Sequence, residues 1–438
     1  MGVSHPSDLA REILQTIISR GSPAPPSETV IRLFQIIYHA SISREESEFI
    51  SFHMVFFNPK EALQHRSEDG VREPWHFIPL ECPEEMNLPN ISKLALASHP
   101  RSSALSVYPN AEGTLVIWGL IDQLNRYEDF IRLENSTAPH RPGMFEARIV
   151  GPGHILVTIG YEQIAELKID NMTLNSIEVF NSGPLRQKLA PGVESLLDDL
   201  YRHFPDAAIL EEVKEKNRTI WMSVIQRLLF RVKGFKHGGA ILIVPNSDFE
   251  GLNTKYRLPY NRLNAAVKRY AISGYRLEGT RLRIKNASQE ESHLLIKQLA
   301  ALNSEWRESE KEVEAAIWFV ALLTRIDGLV LMSRELEVIG FGVEITTAKE
   351  PQSVKKALTG TATKKDRKTF NYSHFGTRHR SMMRYCDANS DSVGFVISQD
   401  SDVRAITRVD DDVCMWENFR LLPEITPQDA APLYSSIL

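Results

Sequence analysis

Apolar residues recur at helical spacing in the two stretches that open the chain, Ser7 to Ser19 and Ser27 to Ala40. In the second, Val30, Leu33, Phe34, Ile37 and Tyr38 share one face. Ser27 follows the turn Ser22-Pro23-Ala24-Pro25-Pro26 as the expected N-cap. Strand-like runs then alternate with turns: Phe52 to Phe57, His76 to Leu80, Ala104 to Tyr108, Thr114 to Trp118, Phe145 to Val150 and His154 to Ile159. The Pro- and Gly-containing stretch Asn181 to Gly192 reads as a linker. A helix over Ala208 to Val232 follows, with Val213, Ile220, Val224, Leu228 and Leu229 on one face.

Beyond it, His237 to Val244 is glycine followed by an apolar strand, Tyr256 to Ala271 is mixed, and Arg281 to Ile284 reads as a short strand. Helical spacing returns from Ser288 toward Arg325, through Leu295, Leu299, Leu302, Trp306, Val313, Ile317, Val320 and Leu323. The remainder predicts strands at Leu329 to Met332 and Glu337 to Gly342, a loop, a helix, and three short strands ending near Trp416. The pattern predicts an α/β (α+β) chain, with a mixed central sheet flanked by helices in its second half and a separate α+β module before it. The expected divisions are 1–190, a linker and helix at 191–236, and a second domain over 237–425.

Composition narrows the function classes. Of 438 residues, 42% are apolar and 24% charged, with a net charge of −5, which favours neither nucleic acid nor an anionic membrane surface as partner. Cys82, Cys386 and Cys414 are scattered, with neither zinc spacing nor a disulfide framework. The densest apolar run, Ala315 to Leu323, is about half the ~20 residues a membrane-spanning helix needs. The N-terminus lacks the order of a secretory signal, so a reducing cytoplasm is the expected location.

Candidate chemistry concentrates in Ser373-His374-Phe375-Gly376-Thr377-Arg378-His379-Arg380-Ser381. A helix start offers unpaired N–H groups and the positive end of the dipole, which suits an anion such as phosphate. Thr377 is the expected N-cap, Gly376 lets a ligand approach the backbone, and Arg378, His379 and Arg380 add charged donors. The same residues would also suit a basic helix start that only faces water. Upstream, Asp327-Gly328-Leu329 joins a helix end to a strand; downstream, Ser392 to Ile397 is a strand closing on Ser398-Gln399-Asp400. Taken alone, these are an Asp-Gly turn and a polar hairpin turn.

Together, and in this order, the three motifs and the His237 to Val244 strand resemble the diadenylate cyclase domain (the DisA N-terminal-like family) over about the last half of the chain. That family carries Asp-Gly-Ala, Gly-Thr-Arg-His-Arg and a strand ending in Ser with acidic residues. The resemblance implies a nucleotidyltransferase that condenses two ATP into cyclic di-AMP and two pyrophosphates. Each 3′-hydroxyl would attack the α-phosphate held by the other subunit, so self-association through the catalytic domain is implied. It implies catalytic roles for Asp327, Gly328, Arg378 and His379. ATP contacts are implied at Gly328, Leu329, Gly376, Thr377, Arg378, His379, Arg380, Ser398 and Gln399. Mg²⁺ or Mn²⁺ would sit on Asp327 and Asp400.

This sequence departs from the family at two points. Gln399 replaces a carboxylate, and Leu329 replaces alanine and is expected to add bulk beside the nucleotide. Met382, Met383 and Tyr385 are expected in the core. The run Lys364, Lys365, Arg367 and Lys368 reads as a solvated loop, or as a contact to the outer phosphates. Gly340-Phe341-Gly342 lacks the third glycine of a dinucleotide site. The short tail after Phe419 has no room for a helix-hairpin-helix DNA-binding module. The first module is similar to the sensor modules labelled DACNV that precede some diadenylate cyclase domains, with an unknown ligand and a regulatory role. A non-catalytic ATP or cyclic-dinucleotide binder on the same fold is the main alternative, and an assembly protein with a vestigial pocket the third.

Overall fold

The computed structural model describes residues 4–60, 75–99, 102–122, 143–160, 162–174, 177–204, 207–245, 249–285, 287–399, 402–417, 419 and 421. The chain divides into two compact units that meet in sequence at 176/177.

The first unit opens with α1 (Pro6–Ser19) and α2 (Ser27–Ile42). Pro26, not Ser27, is the N-cap residue of α2, and no side chain caps it, because helical geometry already begins at Ser27. A two-residue hairpin, β1 (Arg44–Glu45) and β2 (Glu48–Phe49), leads into β3 (His53–Phe56), β4 (His76–Glu85), α3 (Leu88–Ala95), β5 (Ser103–Pro109) and β6 (Leu115–Asp122). β7 (Phe145–Gly151), β8 (His154–Ile159), β9 (Glu162–Lys168) and β10 (Asn171–Leu174) complete it. The last two strands and α3 were not foreseen. The sheet runs β10-β9-β8-β7-β3-β5-β6-β4, with β3 and β5 parallel.

Period-two alternation gives this sheet two unlike faces. Met54, Phe56, Leu105, Val107, Phe145 and Ala147 pack with Leu9 and Ile13 of α1, Leu33, Phe34 and Ile37 of α2, and Ile91 of α3. Val55, Phe57, Ala104 and Ile121 form a smaller cluster. The strand register puts Ser106, Val55, Glu146 and Thr158 side by side on β5, β3, β7 and β8, with His53 two residues from Val55 on the same face. His53 Nε2 lies 2.9 Å from Glu146 Oε2, and both residues are buried. The hydroxyls of Ser106 and Thr158 are also buried, without a hydrogen-bond partner.

The second unit begins with α4 (Pro184–His203) and α5 (Ala207–Gly234). The stretch expected as a linker over 181–192 is therefore mostly helix. Pro184 starts it, where a missing N–H costs nothing, and Pro191 lies inside it without ending it. Leu185, Leu189, Val193, Leu196 and Leu197 are buried at helical spacing, an apolar face that outweighs the prolines. The Lys188 ammonium donates to the carbonyls of Ser390 and Arg408 and to Thr407 Oγ1 (2.8 Å), and burial lowers its pKa.

β11 (Gly239–Val244) and β12 (Leu252–Tyr260) precede α6 (Arg262–Lys285) and α7 (Gln289–Leu323). The short strand expected at Arg281 to Ile284 is the last turn of α6, because that face packs on α7 and local β propensity yields to it. α7 starts where the sequence predicted, with Ser288 Oγ accepting from the Glu291 N–H. β13 (Leu329–Ser333), β14 (Val338–Ile345), β15 (Val354–Ala357), β16 (Arg367–Thr369), α8 (Thr377–Ala388), β17 (Val393–Ile397), β18 (Val403–Val409) and β19 (Asp412–Glu417) follow. The mixed sheet runs β12-β14-β13-β11-β17-β18-β19-β15-β16, with β11/β13 and β15/β19 parallel.

Both faces of this sheet are sealed by apolar residues. Ile241, Ile243, Val330, Met332, Phe395 and Trp416 pack toward the core shared with α4 to α7. Ala240, Leu242, Leu331, Val396, Ile406 and Met415 pack against Met382, Met383, Tyr385 and Cys386 of α8. The architecture is α+β: helices on both sides of a mixed sheet, after a separate N-terminal α+β unit.

Candidate functional site

α8 begins in the sequence stretch richest in anion-binding residues. Gly376 is its N-cap and Thr377 its first helical residue, so the threonine is not the cap the sequence suggested. No side chain caps this end, which leaves its first N–H groups and the dipole open to an anion. Arg378 reaches from the first turn to Asp327, with Nη2 3.5 Å from Oδ1. Two residues 51 positions apart thus meet, because β13 and β17 both flank β11 and α8 lies across the same sheet. The Asp327 carboxylate stands wholly in solvent, while Arg378 is about a third exposed.

Glycines let the backbone converge here. Gly328 has φ +105°, and a Cβ there would lie 2.6 Å from the Gly342 carbonyl carbon. Gly238 has φ +76°; its missing Cβ would sit 3.2 Å from the Ile397 carbonyl oxygen, 3.3 Å from Arg378 Nη1 and 3.4 Å from the Gln399 nitrogen. Gly238, Arg378 and the Ser398-Gln399 end of β17 therefore share one corner of the unit. The turn after β17 is drawn tight: Ser398 N–H donates to the Asp402 carbonyl (2.9 Å), and Asp402 N–H to Ser398 Oγ (3.1 Å). Asp400 lies outside the described residues.

His379 is nearly buried under Phe375, whose ring centroid is 5.1 Å away. Its Nε2 lies 3.2 Å from Arg404 Nη1. Burial, then the charge of Arg404 and more weakly that of Arg378, push the imidazole down to about 4, against an opposing pull from Glu417. The ring is neutral at physiological pH. Arg404 and Glu417 carried no motif in the sequence, since they are single residues of ordinary strands. Tyr256, half exposed and stacked on Phe341 at 4.9 Å, borders Gly342 and was likewise missed.

Leu329 does not add bulk to this corner. Its side chain is buried in the core beneath α8, because the strand's alternation turns it inward. Arg380 belongs to the first turns of α8, and its Nε is buried without a hydrogen-bond partner. In the basic run, Lys364 and Lys365 occupy an exposed 3₁₀ turn, while Arg367 is pinned by Asp410 (2.7 Å) and Asp412 (3.1 Å) in the fold itself. A fully exposed carboxylate suits Mg²⁺ or Mn²⁺, which bind few protein oxygens and complete their shells with phosphate and water. Among the described residues, no group of three His, Cys, Asp or Glu side chains is arranged to hold a metal ion, so Asp327 could hold one only together with a ligand's oxygens.

Comparison with known families bears on the first unit. Residues 19–122 match the family described as "Probable sensor domain DACNV". The matched stretch runs from the last residue of α1 to the end of β6, so the N-terminal module is similar to a sensor domain over most of its helices and half its sheet. No curated protein matches the chain. Among the described residues, no helix is long and apolar enough to cross a membrane.

Proposed function

We propose that the second unit is a diadenylate cyclase, a nucleotidyltransferase that joins two ATP into cyclic di-AMP and releases two pyrophosphates, and that the N-terminal module regulates it. The observation that carries this reading is the meeting of Asp327 with Arg378 at the uncapped start of α8. A carboxylate for a metal and a cationic helix end for a triphosphate are what phosphoryl transfer requires side by side.

In this reading the α8 N–H groups and Arg378 cradle phosphate oxygens, and Thr377 adds a hydroxyl. The neutral His379 donates one hydrogen bond without adding charge. Gly328 and Gly238 let the nucleotide approach the backbone, Ser398 and Gln399 line the far side, and Tyr256 offers a ring face beside Gly342. Asp327 would hold Mg²⁺ or Mn²⁺, which when bound supplies charge neutralisation at the phosphate. Each 3′-oxygen bonds to the α-phosphorus of the other nucleotide as pyrophosphate leaves, and the hydroxyl proton passes to solvent or a nearby base. Because Asp327 stands in solvent, the open corner is half of such a site, and a second copy facing it would supply the other half. The cytoplasm, where ATP is plentiful, is the setting this reading requires.

A second reading is favoured by Gln399, an amide where the family carries a carboxylate: a non-catalytic binder of ATP or a cyclic dinucleotide. The test is incubation of the full chain with ATP and Mg²⁺ or Mn²⁺, followed by mass spectrometry. Cyclic di-AMP that falls by about 10²-fold or more in Asp327→Asn supports the enzyme. Tight ATP binding with no product in either metal overturns it in favour of the binder.

A further inference from the structure

All three nitrogens of the Arg404 guanidinium are committed. Nε donates to Glu417 Oε1 at 2.7 Å, Nη2 to Asp402 Oδ2 at 3.3 Å, and Nη1 lies 3.2 Å from His379 Nε2. Glu417 is held from its other oxygen by Lys356 at 2.7 Å. Arginine carries donors only, so Nε2 of the neutral ring must be the acceptor and the ring proton must sit on Nδ1. From this arrangement we infer that Arg404, anchored by Glu417, is a positioning residue that holds His379 as its Nδ1–H tautomer, giving the α8 anion site a one-way neutral donor. The inference deepens the proposed function and rests on it for the identity of the anion.

The arrangement has a chemical logic. An imidazole free to exchange tautomers presents a lone pair to phosphate half the time, which repels. An imidazolium would donate, yet would bind the reactant and the product pyrophosphate alike and make binding depend on pH. Fixing the bare nitrogen against a permanent cation removes both states at once. Arg404 also lies over the Phe375 ring at 5.2 Å, so the same side chain seats the residue that covers His379.

The test is a long-range ¹H–¹⁵N spectrum of the imidazoles in the ¹⁵N-labelled full chain, with the His379 signal assigned by its loss in His379→Gln. The wild type should show a protonated Nδ1 and a bare Nε2 from pH 6 to 8. Arg404→Met should show exchanging tautomers that titrate in that range. Its ATP Kd, measured without turnover in EDTA, should rise about twofold at pH 8, the cost of a donor tautomer populated half the time, and approach the wild type below pH 6.5 as the ring protonates. If Arg404→Met does not fold, Arg404→Gln decides, since a neutral amide can both donate and accept and so no longer excludes the other tautomer. Unchanged tautomer and unchanged Kd ratio between the two pH values overturn the inference. Failure of the wild type to bind ATP would instead overturn the proposed function, while the spectra would still decide the role of Arg404.

Discussion

Each unit sets an acidic residue against a basic one, in contrasting places. In the first, His53 and Glu146 face each other in the middle of the sheet, sealed from water. In the second, Asp327 and Arg378 meet beyond the strand ends, with the carboxylate wholly exposed. The second sheet is covered on both faces by apolar side chains, so its exposed acid stands in a turn, while the charges on its strands, Arg404, Glu417 and Lys356, pair with one another. The first has one apolar face and one carrying a polar row, so polar groups are part of its interior. A buried pair is costly to break, whereas an exposed pair contributes little to stability and remains available for a ligand.

The largest test of this contrast concerns how each unit is sealed. A fragment of residues 177–423 should fold, whereas one beginning at residue 200 should not. It loses the buried side chains of Leu185, Leu189, Val193, Leu196 and Leu197, on the order of 10 kcal/mol, comparable to the whole stability of a domain. Circular dichroism and thermal melts of the two fragments check this.

Next comes the buried pair itself. Glu146→Ala should cost about 3–5 kcal/mol in urea unfolding, because the buried His53 loses the carboxylate that faces it. Gly328→Ala should cost about 2–4 kcal/mol, since a side chain at φ +105° meets the Gly342 backbone. A melt as high as the wild type would show that the loop relaxes freely.

A pH test comes third in size. The folded His379 pKa, at about 4, lies below the ordinary value of 6.5, so the unfolded chain binds a proton that the native one refuses. Stability should be full above pH 6.5 and fall by up to about 3 kcal/mol as pH drops toward 4. His379→Gln should lose that slope, measured as urea midpoints at pH 7 and 4.5. The smallest expected effect is that of Asp327→Asn on stability: the same unfolding assay should show an unchanged midpoint, even where the substitution abolishes the proposed reaction.

Legibility in the sequence followed the same divide. Asp327, Arg378 and the Gly376 turn could be read because glycines, arginines and acids cluster at strand and helix ends, where local chemistry makes a short motif. The row of Ser106, Glu146 and Thr158 was invisible. Its members come from strands spread over about fifty positions, and only register unites them. Long helices such as α5 and α7 announced themselves through periodicity. α4 did not, because its prolines argued against an apolar face that only packing could reveal. Arg404 stayed hidden for the same reason as the row: of its three partners only Asp402 is near in sequence, and Glu417 and His379 reach it through the fold.

Lys188 ties the first helix of the second unit to the sheet it covers. Its ammonium clasps the carbonyl just before β17 and the end of β18, and Ile177 itself bridges to Phe419. The start of the second unit is thus fastened to its own sheet at two points, Ile177 and Lys188. β17, which begins beside the second of them, is the strand whose far end leads into Ser398 and Gln399.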